Sequence, residues 1–381
     1  MIIEVNGTEY KAWTEASATV RLDTLCNSFK FKATSKEGGA IPFRAGERCS
    51  VKVDGERIIT GNIEIVNVDG DDESHTISLS GRDKTGDVLD SKIGALSDIR
   101  PPVSLKHIIE SVLAHIGSKV KVVDYYHPRL FIQSEDLASP EFGQSVWDFI
   151  ESLARKRQVL LSSTAWGNIA ITRASGVSID ATIQNKIKDD TNNVIAYSVS
   201  YDTTGLFRIY QISGQQNPST INNAGLISNY SIAEQISAIE DQNVRRGRQF
   251  AITAENAGTN LLQRTKWEYN VRKARSQVYS ATVHGFRNQT GDLWKINQLV
   301  NVVDEYAGIK SRMLVNSVQY SIGEDGRQAV ISLVSKNSYT LSVATQSDID
   351  NIGVGIIKPA EEEVIFIEDP TDPESLFGPG R

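Results

Sequence analysis

Ser28-Phe29-Lys30-Phe31-Lys32-Ala33 alternates apolar and polar side chains, the period of a strand with one buried face. A second stretch matches it at a constant offset. Phe29, Phe31 and Ala33 align with Tyr279, Ala281 and Val283, and Val53-Asp54 aligns with Val303-Asp304. The likeness continues in kind. An apolar strand follows in each half (Ile58 to Val66, Met313 to Ile322), then an Asp-Gly turn (Asp69-Gly70, Asp325-Gly326), then Ile-Ser-Leu (Ile77-Ser78-Leu79, Ile331-Ser332-Leu333). Two readings fit. Either the chain carries a duplicated barrel, or two half-buried meanders look alike because all such meanders alternate. Loop lengths differ after Asp54, so any duplication is inexact.

Outward from these stretches, the first hundred residues read as short strands. Asn6-Gly7 joins Ile2–Val5 to Thr8–Trp13, and Asp54-Gly55 joins Cys49–Asp54 to Arg57–Val66; both dipeptides favour tight hairpins. His75 to Ser80 adds another strand, and this spacing predicts a small barrel or sandwich. The pattern changes at Pro101-Pro102. Ser104 can cap a helix whose stripe is Leu105, Ile108, Ile109, Val112, Leu113 and Ile116, with Gly117 as its end. Lys119 to Asp124 reads as a strand. A second helix spans Gln144 to Arg157, with Val146, Phe149, Ile150, Leu153 and Ala154 inward and Arg155-Lys156-Arg157 in its last turn. Val159–Ser162 and Ile169–Arg173 flank Gly167-Asn168 as a hairpin, completing a compact α/β unit. Strand character returns from about Ser175, at Val194–Tyr201 and Leu206–Ser213 around Thr203-Thr204-Gly205. A polar stretch follows from Gly214 to Asn229, then a helix over Ala254–Ala274. Gln277–Phe286, Leu299–Asp304, Met313–Ile322 and Gln328–Val334 are strands.

The bulk numbers narrow the function. A chain of 381 residues with 40% hydrophobic and 23% charged residues has enough apolar mass for two to three soluble domains. No stretch approaches the roughly 20 apolar residues a bilayer span needs, and MIIEVNGTEYKAW has neither the basic nor the apolar region of a secretion signal. A net charge of −7 argues against a chain that coats DNA. Cys26 and Cys49 are too few for a disulfide scaffold or a metal knuckle, and read as reduced thiols.

Chemistry is sparse. His75, His107, His115, His127 and His284 make no metal-ligand motif, and His107 and His115 are too far apart on one helix to share a metal. No nucleophile elbow, phosphate loop or dinucleotide fingerprint is present. Nothing places Cys26 beside a histidine. Asp69 to Glu73 lacks the spacing of a calcium loop and reads as a hairpin tip. Arg245-Arg246-Gly247-Arg248, the densest basic cluster, reads as an inter-subunit or solvated patch, with nucleic acid as the alternative. Trp13, Trp147, Trp166, Trp267 and Trp294 have no regular spacing; Trp147 is expected in the α/β core and Trp294 near a barrel entrance. No catalytic, cofactor-binding or metal-binding residue is expected.

Ordered motifs carry a resemblance. Ile59-Thr60-Gly61-Asn62-Ile63, then Ser80-Gly81-Arg82-Asp83-Lys84-Thr85 and Asp87-Val88-Leu89-Asp90, resemble the first barrel of phage Mu-type baseplate hub proteins. Ser145 to Ala154, with the Trp166-Gly167-Asn168 hairpin, resembles that family's central α/β domain. Ala274-Arg275-Ser276, Val283-His284-Gly285-Phe286 and Gly291-Asp292-Leu293-Trp294 resemble the entry to its second barrel. Each motif alone is weak, but their order over residues 1 to 340 is specific. The resemblance extends to the hub domains of type VI secretion spike proteins, which usually carry a needle; residues 341–381 are too few for one.

The resemblance implies an α+β, mainly β fold: a first tube-like antiparallel β-barrel domain over 1–100, a small α/β domain over 101–176, a second tube-like barrel with a helical insertion over 177–340, and a C-terminal tail over 341–381. It implies a structural, non-enzymatic hub made in the host bacterial cytoplasm and located in the virion tail baseplate. Its partners would be two further copies of itself, a tail tube or distal tube-adaptor protein, a spike protein and other baseplate proteins. Three chains would present six barrels, a pseudo-sixfold ring on a threefold assembly, through which DNA passes without specific binding between acidic walls. The rivals are a tail-associated peptidoglycan hydrolase and a host-surface binding module. In the tail, Val364 to Ile367 lies between Glu361-Glu362-Glu363 and Glu368-Asp369. It reads as an assembly arm that pairs with a sheet edge, or as plain disorder.

Overall fold

The computed structural model describes residues 1–35, 42–72, 74–97, 99, 103–125, 139–174, 176–188, 190–214, 235–254 and 261–339. Pro101-Pro102, the stretch after Gly214, His127, Glu73 and the tail with Val364 to Ile367 lie outside the described residues. The two hairpin dipeptides behave as their chemistry demands. Strands β1 (Ile2–Val5) and β2 (Thr8–Tyr10) turn at Asn6 and Gly7, with φ of 51° and 82°. Strands β5 (Arg48–Val53) and β6 (Glu56–Gly70) turn at Asp54 and Gly55, with φ of 48° and 86°. Two successive positive φ values twist a two-residue turn to match the strands it joins. With β3 (Glu15–Arg21), β4 (Ser28–Ser35) and β7 (His75–Asp83), these strands form the first β-module, in the order β3-β4-β7-β6-β5-β1-β2. Its core holds Ile3, Ala18, Phe29, Phe31, Val51, Ile59, Ile63 and Leu79.

After a short helix α1 (Gly86–Asp90), the central unit packs α2 (Leu105–His115) and α3 (Val146–Lys156) on a small sheet of β8 (Val122–Asp124), β10 (Ile169–Thr172) and β9 (Leu160–Ser163), in that order. Both helices start where the sequence provides a cap. Ser104 Oγ accepts from the His107 amide at 3.2 Å, and Ser145 Oγ from the Asp148 amide at 3.4 Å. Gly117 follows α2 at φ 71°, a conformation that costs glycine little. All the apolar positions read as inward on α3 are buried, Leu153 among them at 8% exposure.

The second β-module uses β11 (Ser178–Asn185), β12 (Val194–Tyr201), β16 (Gln277–His284), β17 (Leu299–Asp304), β18 (Ile309–Gly323) and β19 (Gly326–Ser335). Its order is β12-β16-β19-β18-β17-β11, and it encloses Tyr279, Ala281, Phe286, Trp294, Val302, Val318 and Ile331. Between β12 and β16 lies an insertion: β13 (Ile209–Gly214) flanked by β14 (Gln235–Glu240) and β15 (Gln249–Ala254), then α4 (Leu261–Ser276). One expectation changes here: Ala254 ends a strand rather than starting a helix. The strands either side of Thr203-Thr204-Gly205 have separate partners, β12 pairing with β16 and β13 with β14 and β15.

The duplication is visible in the pairing. β6 and β18 each span 15 residues. β6 breaks register against β7 between Ile63 and Ile65, and β18 against β19 between Val315 and Ser317. With these bulges superposed, Phe29↔Gly81 corresponds to Tyr279↔Leu333, Phe31↔Leu79 to Ala281↔Ile331, and Ala33↔Ile77 to Val283↔Ala329. The alignment of Phe29, Phe31 and Ala33 with Tyr279, Ala281 and Val283 is therefore the one the pairing makes. The other two matches are out of step. Leu79 corresponds to Ile331, so the two Ile-Ser-Leu triplets are displaced by one pleat. Val53 corresponds to Asp304, not to Val303, because Cys49 and Val300 face Gly61 and Met313 respectively. A one-residue slip reverses every face: Asp54 lies in a turn, whereas Asp304 is fully buried.

Among the described residues the strand pairing closes neither module into a barrel. One 13-stranded sheet runs through both modules, joined where β18 pairs with β3, and its path is open at β12 and at β2 among these residues. Nor is it wholly antiparallel, since β11 lies parallel to β17 while the corresponding β1 lies antiparallel to β5. Leu153→Ala is expected to destabilise the central unit by about 2–5 kcal/mol, the range for a leucine removed from a packed core. Urea unfolding monitored on the full chain measures it, and an unchanged midpoint would place that side chain outside the core.

Candidate functional site

The two modules meet at a strand seam. β18 is paired along one side by β19. On the other side β17 covers Ile309–Leu314 and β3 covers Ser317–Ile322. Ion pairs flank the seam at the first module's hairpin: Arg287 Nε lies 3.4 Å from Asp54, Lys295 Nζ lies 2.8 Å from Glu56, and Arg327 contacts Asp54. Two strand segments related to the seam by the duplication have no partner among the described residues. One is the outer edge of β12, the counterpart of β3. The other is the outer edge of β6 beyond Ile63, the counterpart of the β18 segment that holds β3. Both are solvent-facing and apolar: Ile65, Val68, Ile195, Tyr197 and Tyr201 are exposed. Sequence reading missed these edges. The available signal was apolar residues on both faces of Val194–Tyr201.

The motifs in the first module and central unit serve close packing. A Cβ on Gly61 would lie 1.9 Å from the Arg82 carbonyl oxygen, and one on Gly81 would strike both the Asn62 carbonyl and the Phe29 ring. Asp83, buried, accepts from the Asn27 amide at 2.8 Å and from the Thr85 amide and hydroxyl at 3.0 and 2.5 Å. Gly167 has φ 64°, and a Cβ there would lie 2.3 Å from the Thr60 carbonyl oxygen. Thr60 Oγ1 donates to the Ala165 carbonyl at 2.8 Å, and the Arg57 guanidinium lies 4.5 Å from the exposed Trp166 ring. The Trp166-Gly167-Asn168 hairpin thus fastens the central unit to the first module.

Among the described residues the side chains considered for chemistry do not converge. His75, His107, His115 and His284 are all exposed, on β7, α2 and β16. Asp69 is in β6, and Asp71 accepts from the Ser74 amide at 2.7 Å across the hairpin tip. Arg245 and Arg246 are solvent-exposed, while Arg248 lies over the Phe207 ring at 5.0 Å. Trp294 is in the core of the second module, Trp267 lies on the buried face of α4, and Trp147 packs at the edge of the central core. A cleft of about 310 Å³ opens between the central unit and α4. Its Glu268 is already held by Arg264 at 2.5 Å and by Arg272. Asp304 is satisfied by the Tyr279 hydroxyl at 2.6 Å, Asn185 Nδ2 at 3.0 Å and the Ala307 amide at 2.8 Å. Burial, and then the bond to Asp304, pushes the Tyr279 phenol up.

The face of the sheet opposite the two cores is polar but not acidic. Ser198, Ser280, Ser332 and Ser317 stand side by side across four strands. Gln319, Thr19 and Ser28 form part of the next row, and Ser321, Ser17, Lys30 and Ser80 the row after. Most charges on it are matched: Lys32 with Glu15 at 2.7 Å, Arg82 with Glu64 at 2.8 Å and Asp90 at 2.5 Å, and Arg21 with Asp23 at 3.6 Å. Its rows carry chiefly hydroxyls and amides rather than carboxylates.

The two thiols give a chemical test of the site. Burial pushes both Cys26 and Cys49 up to about 12, with Asp83 adding to the effect at Cys26. Since the thiolate is the nucleophile, neither should be alkylated by iodoacetamide at pH 8 in the native chain, and both should react in denaturant. Because the folded values lie above the ordinary thiol range, their contribution to stability is complete at neutral pH. It is lost as pH rises from about 9 towards 12. Fast native alkylation at pH 8 would contradict the burial of these groups.

Comparison with known proteins agrees with this architecture. Residues 1–83 match the family model of the Mu phage baseplate assembly protein GpP-like N-terminal domain, and residues 258–342 that of the fourth domain of GpP. The baseplate hub protein gp44 of Escherichia phage Mu is 23% identical over 350 residues, covering 90% of this chain and 89% of that protein. The 43 kDa tail protein of prophage MuSo2 from Shewanella oneidensis is 30% identical over 88% of this chain and 98% of its own, with a TM-score of 0.72. A tail protein from Neisseria meningitidis MC58 shares the fold with a TM-score of 0.75 at 19% identity, covering 89% of this chain and 97% of its own. No helix among the described residues is long and apolar enough to cross a membrane. A chain with both terminal β-modules of this kind, matched almost end to end by a Mu-like prophage tail protein, belongs to the Mu-type baseplate hub family.

Proposed function

We propose that this protein is a non-enzymatic hub that assembles as a homotrimer, joins the tail tube to the spike in the virion baseplate, and leaves a passage for DNA. The observation that supports the reading is the duplication: two modules with bulges in the same place, joined head to tail by one strand seam. Three such chains supply six near-equivalent modules and three copies of everything that occurs once per chain. A closed ring of head-to-tail contacts then matches a sixfold tube on the modules and a threefold spike on the assembly. The domain plan that fits is a first module over 1–100, a central unit over 101–176, a second module with its insertion over 177–340, and a tail from 341. The tail tube or an adaptor at its distal end, the spike and other baseplate proteins are its partners, and the host cytoplasm is where it is made.

The polar face suits a passage. Duplex DNA binds surfaces that offer unpaired cations, through counterion release. Rows of hydroxyls and matched ion pairs offer few, so a moving polyanion meets little adhesion. Native mass measurement of the purified full-length chain, with electron micrographs of assembled tails, tests the assembly: a threefold hub with six modules is expected, and a dimer or a ring of another order would refute it. Zymography on purified cell wall tests the absence of hydrolysis, and clearing by the purified chain would overturn that part.

A further inference from the structure

The chain's negative charge is not spread over its modules. Residues 340–381 carry nine acidic and two basic side chains, which is the whole of the net −7, so residues 1–339 are neutral. The densest acids in that tail are Glu361-Glu362-Glu363 and Glu368-Asp369, on either side of Val364-Ile365-Phe366-Ile367.

The neutral body holds the opposite arrangement around the Trp166-Gly167-Asn168 hairpin. The Lys84 side chain lies beside Gly167, and the Lys84 amide donates to the Thr60 carbonyl at 3.2 Å. The Lys121 amide donates to Asn168 Oδ1 at 3.3 Å, and Arg48 stands opposite Asn62, two residues along β6 from Thr60. Among the described residues Arg48, Lys84 and Lys121 make no ion pair with a carboxylate. Burial and then Arg48 pull the Lys84 ammonium below its ordinary range, and Lys121 adds to this. The carboxylate that opposes them, Asp83, is buried and already holds the Asn27 and Thr85 amides. Arg57 lies over the Trp166 ring at 4.5 Å and reaches Glu4 only at 3.9 Å, and Trp166 stays 60% exposed. Like charges gathered without a counter-charge repel one another, and an anionic partner relieves that repulsion.

We propose that segment 361–369 docks on this patch of its own chain, with its carboxylates against Arg48, Lys84 and Lys121 and its apolar centre against Trp166. The tether is long enough. The 22 residues from Tyr339 to Glu361 span up to roughly 75 Å when extended, against a radius of gyration of about 20 Å for a body of this size. Tethering gives an effective concentration on the order of 1 mM, at which a dissociation constant of about 0.25 mM fills the patch roughly four-fifths of the time. The docking does not depend on how many copies assemble. A nucleic-acid strand also suits cations beside an exposed indole, but segment 361–369 is always at hand and carries both kinds of matching group.

Two measurements on the full-length chain test this. Carbodiimide coupling at low salt joins carboxylates to amines in direct contact. Peptide mapping is expected to find Lys84 or Lys121 joined to an acid of segment 361–369 within one chain. These links are expected to disappear at about 0.5 M salt, where the screening length is a few ångströms. Acetylation footprinting then compares the native chain with a variant that neutralises the segment by Glu361→Gln, Glu362→Gln, Glu363→Gln, Glu368→Gln and Asp369→Asn, none of them a core residue. Lys84 and Lys121 are expected to react roughly fivefold faster in the variant, while Lys106 on α2 reacts equally in both. Cross-links only at other lysines or only between chains, or equal acetylation of Lys84 and Lys121 in the two forms, overturn the proposal. So does a DNA oligonucleotide that binds the native chain and shields these lysines while the neutralised variant reacts no faster, since the patch is then a nucleic-acid site.

Discussion

β18 is hydrogen-bonded on one side by two different strands, β17 as far as Leu314 and β3 from Ser317 onward. The change of partner falls at Asn316, the bulged residue. A bulge leaves one residue outside the ladder and bends its strand, and here the spare groups are used. The Asn316 carbonyl accepts from the Leu22 amide at 2.8 Å, and its side chain meets the Tyr339 hydroxyl at 3.4 Å. Leu22 is the first residue past β3, so the bulge that releases β17 also fixes where β3 docks. Every buried backbone group needs a partner, and a strand this long finds enough only by recruiting two neighbours. The order of the whole sheet follows from that.

The corresponding bulge in β6 has a different environment. Glu64 occupies it, exposed and paired with Arg82, and the strand beyond it carries Ile65 and Val68 into solvent. Upstream of the bulge the first module is drawn tighter than the second. Gly61 lets β6 lie against β7 where Met313 stands in β18, and Gly81 seats the Phe29 ring. The tightness turns the chain at Asp83 into α1 and brings Thr60 against the central hairpin. The same strand pattern therefore supports two jobs: in the first module it holds the central unit, and in the second it receives a neighbouring strand.

Much of the local structure was legible because it depends on near neighbours. Asn6-Gly7, Asp54-Gly55, Ser104, Ser145 and Gly117 act through their own φ values and amides, and the helix stripe through Leu153 acts through its own periodicity. The offset linking Phe29 to Tyr279 was legible for the same reason. What failed was non-local. The Val53-Asp54 match was an identity of letters one residue out of phase, and only the pairing of Cys49 and Val300 with their partners shows it. The parallel docking of β11 on β17 and the β3–β18 seam join residues far apart in sequence, and no alternation pattern encodes a partner. β14 and β15 are short and flank an insertion whose apolar cluster is small, with Tyr210, Ile239 and Tyr269 at its centre, so their signal was weak. Of the candidate assembly edges, the strands were read but their openness was not, because exposure of Tyr197 is a property of what is absent beside it.

The differences between the two modules matter as much as their likeness. β3 reaches β4 through Leu22 to Asn27, a turn tied by the Asn27 amide to Asp83. The equivalent step from β12 to β16 passes through β13, β14, β15 and α4. That insertion packs Trp267 and Ala274 on Leu314 and Val334 at one end of the polar face, leaving the serine row beyond it uncovered. The central unit likewise occurs once per chain: its hairpin is fastened to the first module, and Leu160 and Ala174 pack on the cluster around Leu314 and Val334 of the second. The strands are thus nearly repeated while everything attached to them is not. In a ring of three chains, features built from strands recur about six times and features built from attachments three times. One sequence can then present different symmetries at different heights without any residue having two conformations, since the mismatch is absorbed in which module carries an insertion and which carries the central unit.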